Sequence, residues 1–394
     1  MWPPARRLPA PEYFANFVPS KLFLTMAQQR NAVISISKAI AIILMVAGHA
    51  EGPAILVGFL YTFHMPLFFI AAGYFFSQKA MDDPWNFCHK RFKGLYIPFI
   101  KWSVIYLLLH NVWHYFGILN EQYGNWEGGV THPYTWHDAM ERLVRIFFGM
   151  SGYDEFMAGA FWFFRGLLVA SIGYLILRRL LERNTRLSGI GATAVILLLV
   201  IAFNAFRFAN GLKISLIPNG GLRETWGIFF FGVGVLFRRY ESLLPRRWPM
   251  LLAAFLFILT AGHFHAHGMN NSGEMIDLIT LPLTGTIGFL MTYWLSGYID
   301  AWGGPLRRLL CYIGDHTLYI LLWHIPAYKI VSLMKIHYYD LDPAQIGCHM
   351  VIHFNNTDFF WVLYTIAGVA LPLGALRLWQ SVRSRLPQLR VTPA

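Results

Sequence analysis

Two ionisable side chains stand inside one apolar run. From Ser35 to Ala50 the chain is hydrophobic or small except at Ser35, Ser37, Lys38 and His49. Within a membrane such groups are costly to bury and usually face a cavity or a partner, so Lys38 and His49 ask for a chemical explanation. If the run is helical, eleven residues at about 100° each bring them to within about 20° around the axis and about 16 Å along it. Both then face the same way, a cation at one end of a stripe and a proton acceptor at the other. A histidine titrates near working pH and suits removal of a proton from a sugar hydroxyl. The lysine end suits an anionic phosphate. A long thin donor with phosphates at one end and a thioester at the other, the shape of acyl-coenzyme A, fits that separation. The plainer alternatives are a lysine snorkelling to the interface and a hydrogen-bonded core histidine.

The elements that must hold this stripe are membrane helices. Hydrophobic residues make up 56% of the 394 residues and charged residues only 13%, against roughly a quarter in soluble domains. Ten spans are expected, at 33–50, 57–77, 95–117, 159–180, 188–206, 220–237, 248–264, 276–298, 308–331 and 359–378. The fold class is therefore all-α and polytopic. With both termini cytoplasmic, 22 Lys and Arg residues fall in cytoplasmic segments and 7 in outer ones, the asymmetry expected of a correctly oriented bundle. That distribution accounts for the net charge of +12 without nucleic acid as a partner. Residues 1–30 read as a disordered cytoplasmic leader without a signal peptide, and a start at Met26 would lose nothing recognisable. Residues 31–380 form one transmembrane domain with a long acidic and aromatic outer loop at 118–158, and 381–394 a cytoplasmic tail. That loop suits either a cover over a sugar site or an interfacial aromatic belt. Cys88, Cys311 and Cys348 imply no intramolecular disulfide framework.

Lys38 and His49 are followed by Phe63-His64-Met65-Pro66-Leu67-Phe68-Phe69 and by Gly73-Tyr74-Phe75-Phe76. This hairpin resembles that of the type 3 membrane acyltransferases, the fucose 4-O-acetylase-like branch above all. The resemblance continues through His89-Lys90-Arg91-Phe92-Lys93-Gly94-Leu95-Tyr96-Ile97-Pro98, Phe161-Trp162-Phe163, Phe229-Phe230-Phe231-Gly232-Val233-Gly234 and Thr317-Leu318-Tyr319-Ile320-Leu321-Leu322-Trp323-His324. It implies a sugar O-acyltransferase with His49, His64 and His324 in the catalytic centre. It also implies that Lys38, Lys90, Arg91 and Lys93 hold acetyl-coenzyme A. Two positions depart from the family pattern: Ser35 where an Asp is common, and Gly94 in place of the second Arg of an Arg-x-x-Arg pair.

Arg165, just after Trp162, is expected either to orient an acceptor carboxylate or phosphate, with Trp162 as a substrate-binding neighbour, or to pair with Glu51 or Glu224. Asp315, a few turns from His324, suits a coenzyme-side polar group or a helix cap. His110 with His114, and His349 with His353, have the i, i+4 spacing of metal ligands, but no accompanying carboxylate pattern supports a metal, and none is expected. The function expected is transfer of an acyl group, foremost acetyl, from acyl-coenzyme A to a hydroxyl of a cell-envelope or lipid-linked sugar, at a bacterial inner membrane. A glycolipid transporter or flippase, and a non-catalytic sensor or assembly subunit, are the alternatives.

Overall fold

The computed structural model describes residues 31–385 apart from 127–128, 216, 352 and 354–357. The expected leader 1–30, and the tail from residue 386 onward, lie outside the described residues. In chain order the helices are α1 (Ala32–His49), α2 (Ala54–Tyr61), α3 (His64–Tyr74), α4 (Gln78–Asp82) and α5 (Pro84–Arg91). A π-helical turn, Phe92–Tyr96, joins α5 to α6 (Ile97–Tyr115). Then come α7 (Trp136–Gly149), α8 (Trp162–Asn184), α9 (Gly189–Ala209), α10 (Leu222–Tyr240) and α11 (Trp248–His263). The chain finishes with α12 (Asp277–Trp302), α13 (Gly304–Asp315), α14 (Thr317–Tyr338) and α15 (Phe360–Arg385). The described strands are limited to a two-residue antiparallel pair, Asn125–Trp126 with Gly129–Val130.

Among the described residues, eight helical segments are long and apolar enough to cross a membrane, with α2 and α3 counted together and α5 continued into α6. The chain is an all-helical integral membrane protein. The other two expected spans are also helices. One, α11, is apolar but only 16 residues long; the other, α10, carries Arg223 and Glu224 at one end and Arg238 and Arg239 at the other. The expected span 308–331 begins later, at Thr317. Gly303 and Gly304, both at positive φ, and Pro305 start a separate helix, α13, that ends at Asp315. It exposes Leu306 and Leu309 beside Arg307 and Arg308, the makeup of a helix lying along an interface.

At the centre stands α1, which touches α2, α3, α12, α13, α14 and α15. It can do so because Ala39, Ala41, Ala47 and Gly48 are small and buried, and small residues let helix backbones approach where lipid gives no hydrophobic drive to associate. The approach to α13 is closest: a Cβ at Gly314 would overlap the Ser35 carbonyl. Polar contacts fix the rotation of α1. Ser35 donates to Asp315 at 2.9 Å, Ser37 to Ser296 at 3.0 Å, and Tyr328 to the Val46 carbonyl at 2.5 Å. These clamps run along its length, so the Lys38 and His49 stripe is held in one orientation. With Gly368 against Val46 and Arg377 over the Tyr312 ring at 4.3 Å, α15 runs back beside α1. The start of α1 and the end of α15 therefore share one end of the bundle, called here proximal; His49 lies toward the distal end.

Candidate active site

His49 is the last residue of α1. Its Nδ1 lies 2.8 Å from Nε2 of His324 on α14, with the two rings stacked at 5.0 Å. The proton positions follow from the neighbours. Nδ1 of His324 faces the Ile320 and Leu321 carbonyls at 3.0 and 3.1 Å. Carbonyls only accept, so this nitrogen donates, and in the uncharged ring Nε2 must then accept. His49 therefore donates from Nδ1 and keeps its lone pair on Nε2. The arrangement leaves Nε2 of His49 as the nitrogen able to accept a proton.

Local sequence explains why α14 can hold His324 there. Pro326 inside the helix has no N–H to give the Leu322 carbonyl. Tyr106 from α6 donates to that carbonyl instead, tying α6 to the dyad's helix. Behind the dyad, a Cβ at Gly368 would stand 2.7 Å from Val46, 2.8 Å from Tyr328 and 3.3 Å from His324. Only a glycine lets α15 back so tightly against the pair.

Two cavities meet at His49. The inner one, about 200 Å³, is lined by Ile42, Met45 and His49 from α1, by Gly94 and Leu95 from the π-helical turn, and by Thr317, Leu318 and Leu321 from α14. Its walls are largely apolar. The outer one, about 410 Å³, is lined by Glu51, Tyr123, Arg223, Cys348 and His349 among others. His49, Tyr61, Trp162 and Asn270 line both, so these four residues form the waist between them.

The expected site residues are distributed as follows. Lys38, Ile42, Met45 and His49 follow one another at helical spacing on α1, and the last three line the inner cavity. Lys38 is thus one turn beyond that cavity on the same stripe, half-buried. Lys90 and Lys93 are exposed, and Arg91 lies over the Phe87 ring at 5.1 Å. The residues directly after Lys93 line the inner cavity, and at Gly94 an added Cβ would meet open space. His64 lines the inner cavity with Nδ1 donating to the Leu60 carbonyl at 2.7 Å. Trp162 stands at the waist. Arg165 is elsewhere: it lines neither cavity, and it is buried with Nε 2.8 Å from Glu224 and Nη1 3.1 Å from the Met150 carbonyl. Of the two uses read from the sequence, this is the ion pair.

Sequence reasoning passed over four residues at this site. Arg223, one of the seven basic residues counted in outer segments, lines the outer cavity with its guanidinium 4.6 Å over the Trp162 ring. Tyr61 and Asn270 have no motif around them. His349 was singled out for metal spacing with His353, yet its ring is 6.4 Å from that of His49. Burial above all, and then the nearby His49, hold its imidazole well below the usual histidine range.

The long loop after α6 is pinned next to this region. His110 bonds Asp154 through Nδ1 at 2.7 Å and the His132 carbonyl through Nε2 at 3.0 Å, under the stacked Tyr134 ring at 3.6 Å. Asp154 also accepts from the Phe156 and Met157 amides. The loop contains a helix, α7, with a complete capping box at Thr135 and Asp138. Its exposed Trp136, Val144, Phe147 and Phe148 give it an apolar face suited to the membrane interface.

The acyltransferase 3 family, defined by its acyltransferase domain, matches residues 31–377. No curated protein and no solved structure matches the chain. The match covers most of the sequence, including both members of the histidine dyad and every residue of the two cavities, and the chain belongs to this family.

Proposed function

We propose that this membrane acyltransferase moves an acetyl group from acetyl-coenzyme A, held at the proximal end, to a hydroxyl of an envelope or lipid-linked sugar that enters from the distal end. The observation that carries this is the place of the His49 and His324 dyad, where an inner apolar cavity and an outer polar one meet. In a bacterial cell the proximal end faces the cytoplasm, as the basic segments direct. The coenzyme phosphates bind among Lys90, Arg91, Lys93 and Lys38. The pantetheine arm passes Gly94 and Leu95 and runs along Ile42 and Met45.

At the waist the acceptor hydroxyl gives its proton to Nε2 of His49 as its oxygen attacks the thioester carbonyl carbon. The positive charge that forms on His49 is shared with His324 through the Nδ1 hydrogen bond. The tetrahedral intermediate then collapses, the carbon–sulfur bond breaks, and His49 returns the proton to the leaving sulfur. The products are an O-acetyl ester and free coenzyme A. Trp162 and Tyr61 narrow the waist and limit water, which would otherwise compete for the thioester.

The test is mass spectrometry of envelope glycans from cells with and without the gene, combined with labelled acetyl-coenzyme A supplied to the proximal face of membrane vesicles. Label should appear in glycan ester on the opposite face. Glycans that do not differ between the two strains would reject the assignment, and export of unmodified glycolipid without coenzyme use would put a transporter in its place.

A further inference from the structure

The outer cavity does not end at the waist. A second distal cavity of about 540 Å³ adjoins it, lined by Arg207, Leu212, Lys213, Asn219, Gly220 and Asn271 among others. Asn270 lines both, and it lines the inner cavity as well. The walls of the second cavity are built at some conformational cost. Asn219, Gly220 and Gly221 stand in succession at φ of 57°, 60° and 76°, left-handed values that turn the chain sharply into α10. Asn219 then donates to the Asn270 carbonyl at 2.8 Å, locking the loop before α10 to the loop that carries the junction.

Four polar groups along this path are unsatisfied or unpaired. Asn270 Oδ1, Arg223 Nε and Arg207 Nε are buried with no hydrogen-bond partner among the described residues. Buried polar groups almost always have partners, so these atoms beside a cavity are points at which the polar groups of a bound molecule can pair. Lys213 on the wall of the second cavity is exposed and makes no ion pair among the described residues. The other charges nearby are partly engaged or exposed. Glu224 holds Arg165 through Oε1 while its Oε2 has no partner among the described residues, Arg207 bonds Asn204 and the Gly220 carbonyl while its Nε has none, and Glu51 and Glu155 are exposed.

We infer that the acceptor is an acidic oligosaccharide of at least two units, with its reacting unit beside Arg223 and His49, its linkage across Asn270, and its next unit against Lys213 in the second cavity. This rests on the acyltransferase assignment and names the acceptor class that the same site takes. Arg223 makes no direct ion pair among the described residues, Glu224 and Glu155 acting on it only from further off, and a guanidinium so placed fits an acid group, a uronate carboxylate or a phosphate, held within reach of the hydroxyl that reacts. The Asn270 carboxamide suits the hydroxyls and ring oxygens of a glycan, which both donate and accept.

The experiment measures binding to the full-length protein in lipid nanodiscs at low salt, with tetragalacturonate, maltotetraose as its neutral match, galacturonate and glucose 6-phosphate. Tetragalacturonate should bind at least about tenfold more tightly than maltotetraose, and the two charged monomers will show which acid group Arg223 prefers. Arg223→Gln should remove most of the preference for acid over neutral sugar. Lys213→Gln should reduce the advantage of tetramer over monomer about fivefold, and Asn270→Ala should weaken both lengths. Equal binding of acidic and neutral tetramers, or no binding of tetragalacturonate, overturns the inference, as does an unchanged length preference in Lys213→Gln. Thiol release from acetyl-coenzyme A, measured in the same discs with and without His49→Ala, separates the two failures. Release that needs His49 without acid preference sinks the acceptor class alone; acid preference without His49-dependent release sinks the acyltransferase mechanism.

Discussion

Replacing His324 distinguishes a base held in one tautomer from a base acting alone. His324 does not line the two cavities, and in the proposed mechanism it acts through the 2.8 Å bond to Nδ1 of His49. Its loss to Ala leaves a buried donor unpaired, at a cost of about 1–3 kcal/mol. Expressed in the transition state, where His49 carries the charge, that raises the barrier by about 1–3 kcal/mol, a loss of about 5- to 150-fold in kcat. Losing His49 itself removes the base and should cost about 10² to 10⁴. His324→Gln restores an acceptor oxygen in place of Nε2 and should recover part of the rate. In nanodiscs, with thiol release from acetyl-coenzyme A as the assay, KM for the donor should barely move in either His324 variant. The double variant His49→Ala, His324→Ala should be no slower than His49→Ala alone, because a positioning residue has nothing left to position. A His324→Ala enzyme at wild-type rate, or a double variant slower than His49→Ala by a further tenfold, would refute the tautomer argument.

Other perturbations separate structure from chemistry. Arg165→Met should lower thermal stability by about 3–5 kcal/mol by stranding Glu224, and adding Glu224→Leu should restore most of it; a variant with normal melting but a raised acceptor KM would return Arg165 to substrate binding. Gly314→Ala drives a methyl into the Ser35 carbonyl and should cost about 1–3 kcal/mol or more, read as a lowered melting temperature; unchanged melting would mean that α1 and α13 are not packed as described. Neutralising Lys90, Arg91 and Lys93 together should raise the donor KM with normal protein levels, and an unaltered donor dependence would remove them from the coenzyme site.

What could be read along one helix was read from the sequence. Lys38 and His49 share a stripe because helical periodicity is local, and Ile42 and Met45 on the same stripe turn out to line the inner cavity. The partner of His49 came from family likeness alone, since 275 residues separate it from His324 and no periodicity spans that distance. Arg165 and Arg223 show the limit most sharply. Both lie near aromatic segments at the distal side, and only packing decides that the first meets Glu224 while the second faces a cavity. Asn270 was invisible because an asparagine in a polar loop is ordinary until its side chain is found unpaired. The span placed at 308–331 ran through Gly314-Asp315-His316-Thr317, a short polar stretch between two apolar runs at which one helix ends and the next begins. For α7 the signal was present: Thr135 and Asp138 have capping-box spacing, within a loop valued only for its charge and aromatic content.

The waist formed by His49, Tyr61, Trp162 and Asn270 carries an electrical consequence as well. In the proposed mechanism the cavities open to opposite faces, and then only the layer between them supports the transmembrane voltage, so most of the field falls across a few side chains. A proton taken up by His49 in that mechanism would sit in that field, and an energised membrane would bias which face it exchanges with. Widening the waist, as Trp162→Ala would, risks turning the enzyme into a leak for small ions. The bulk of these aromatic side chains is thus constrained by membrane insulation as much as by the fit of either substrate.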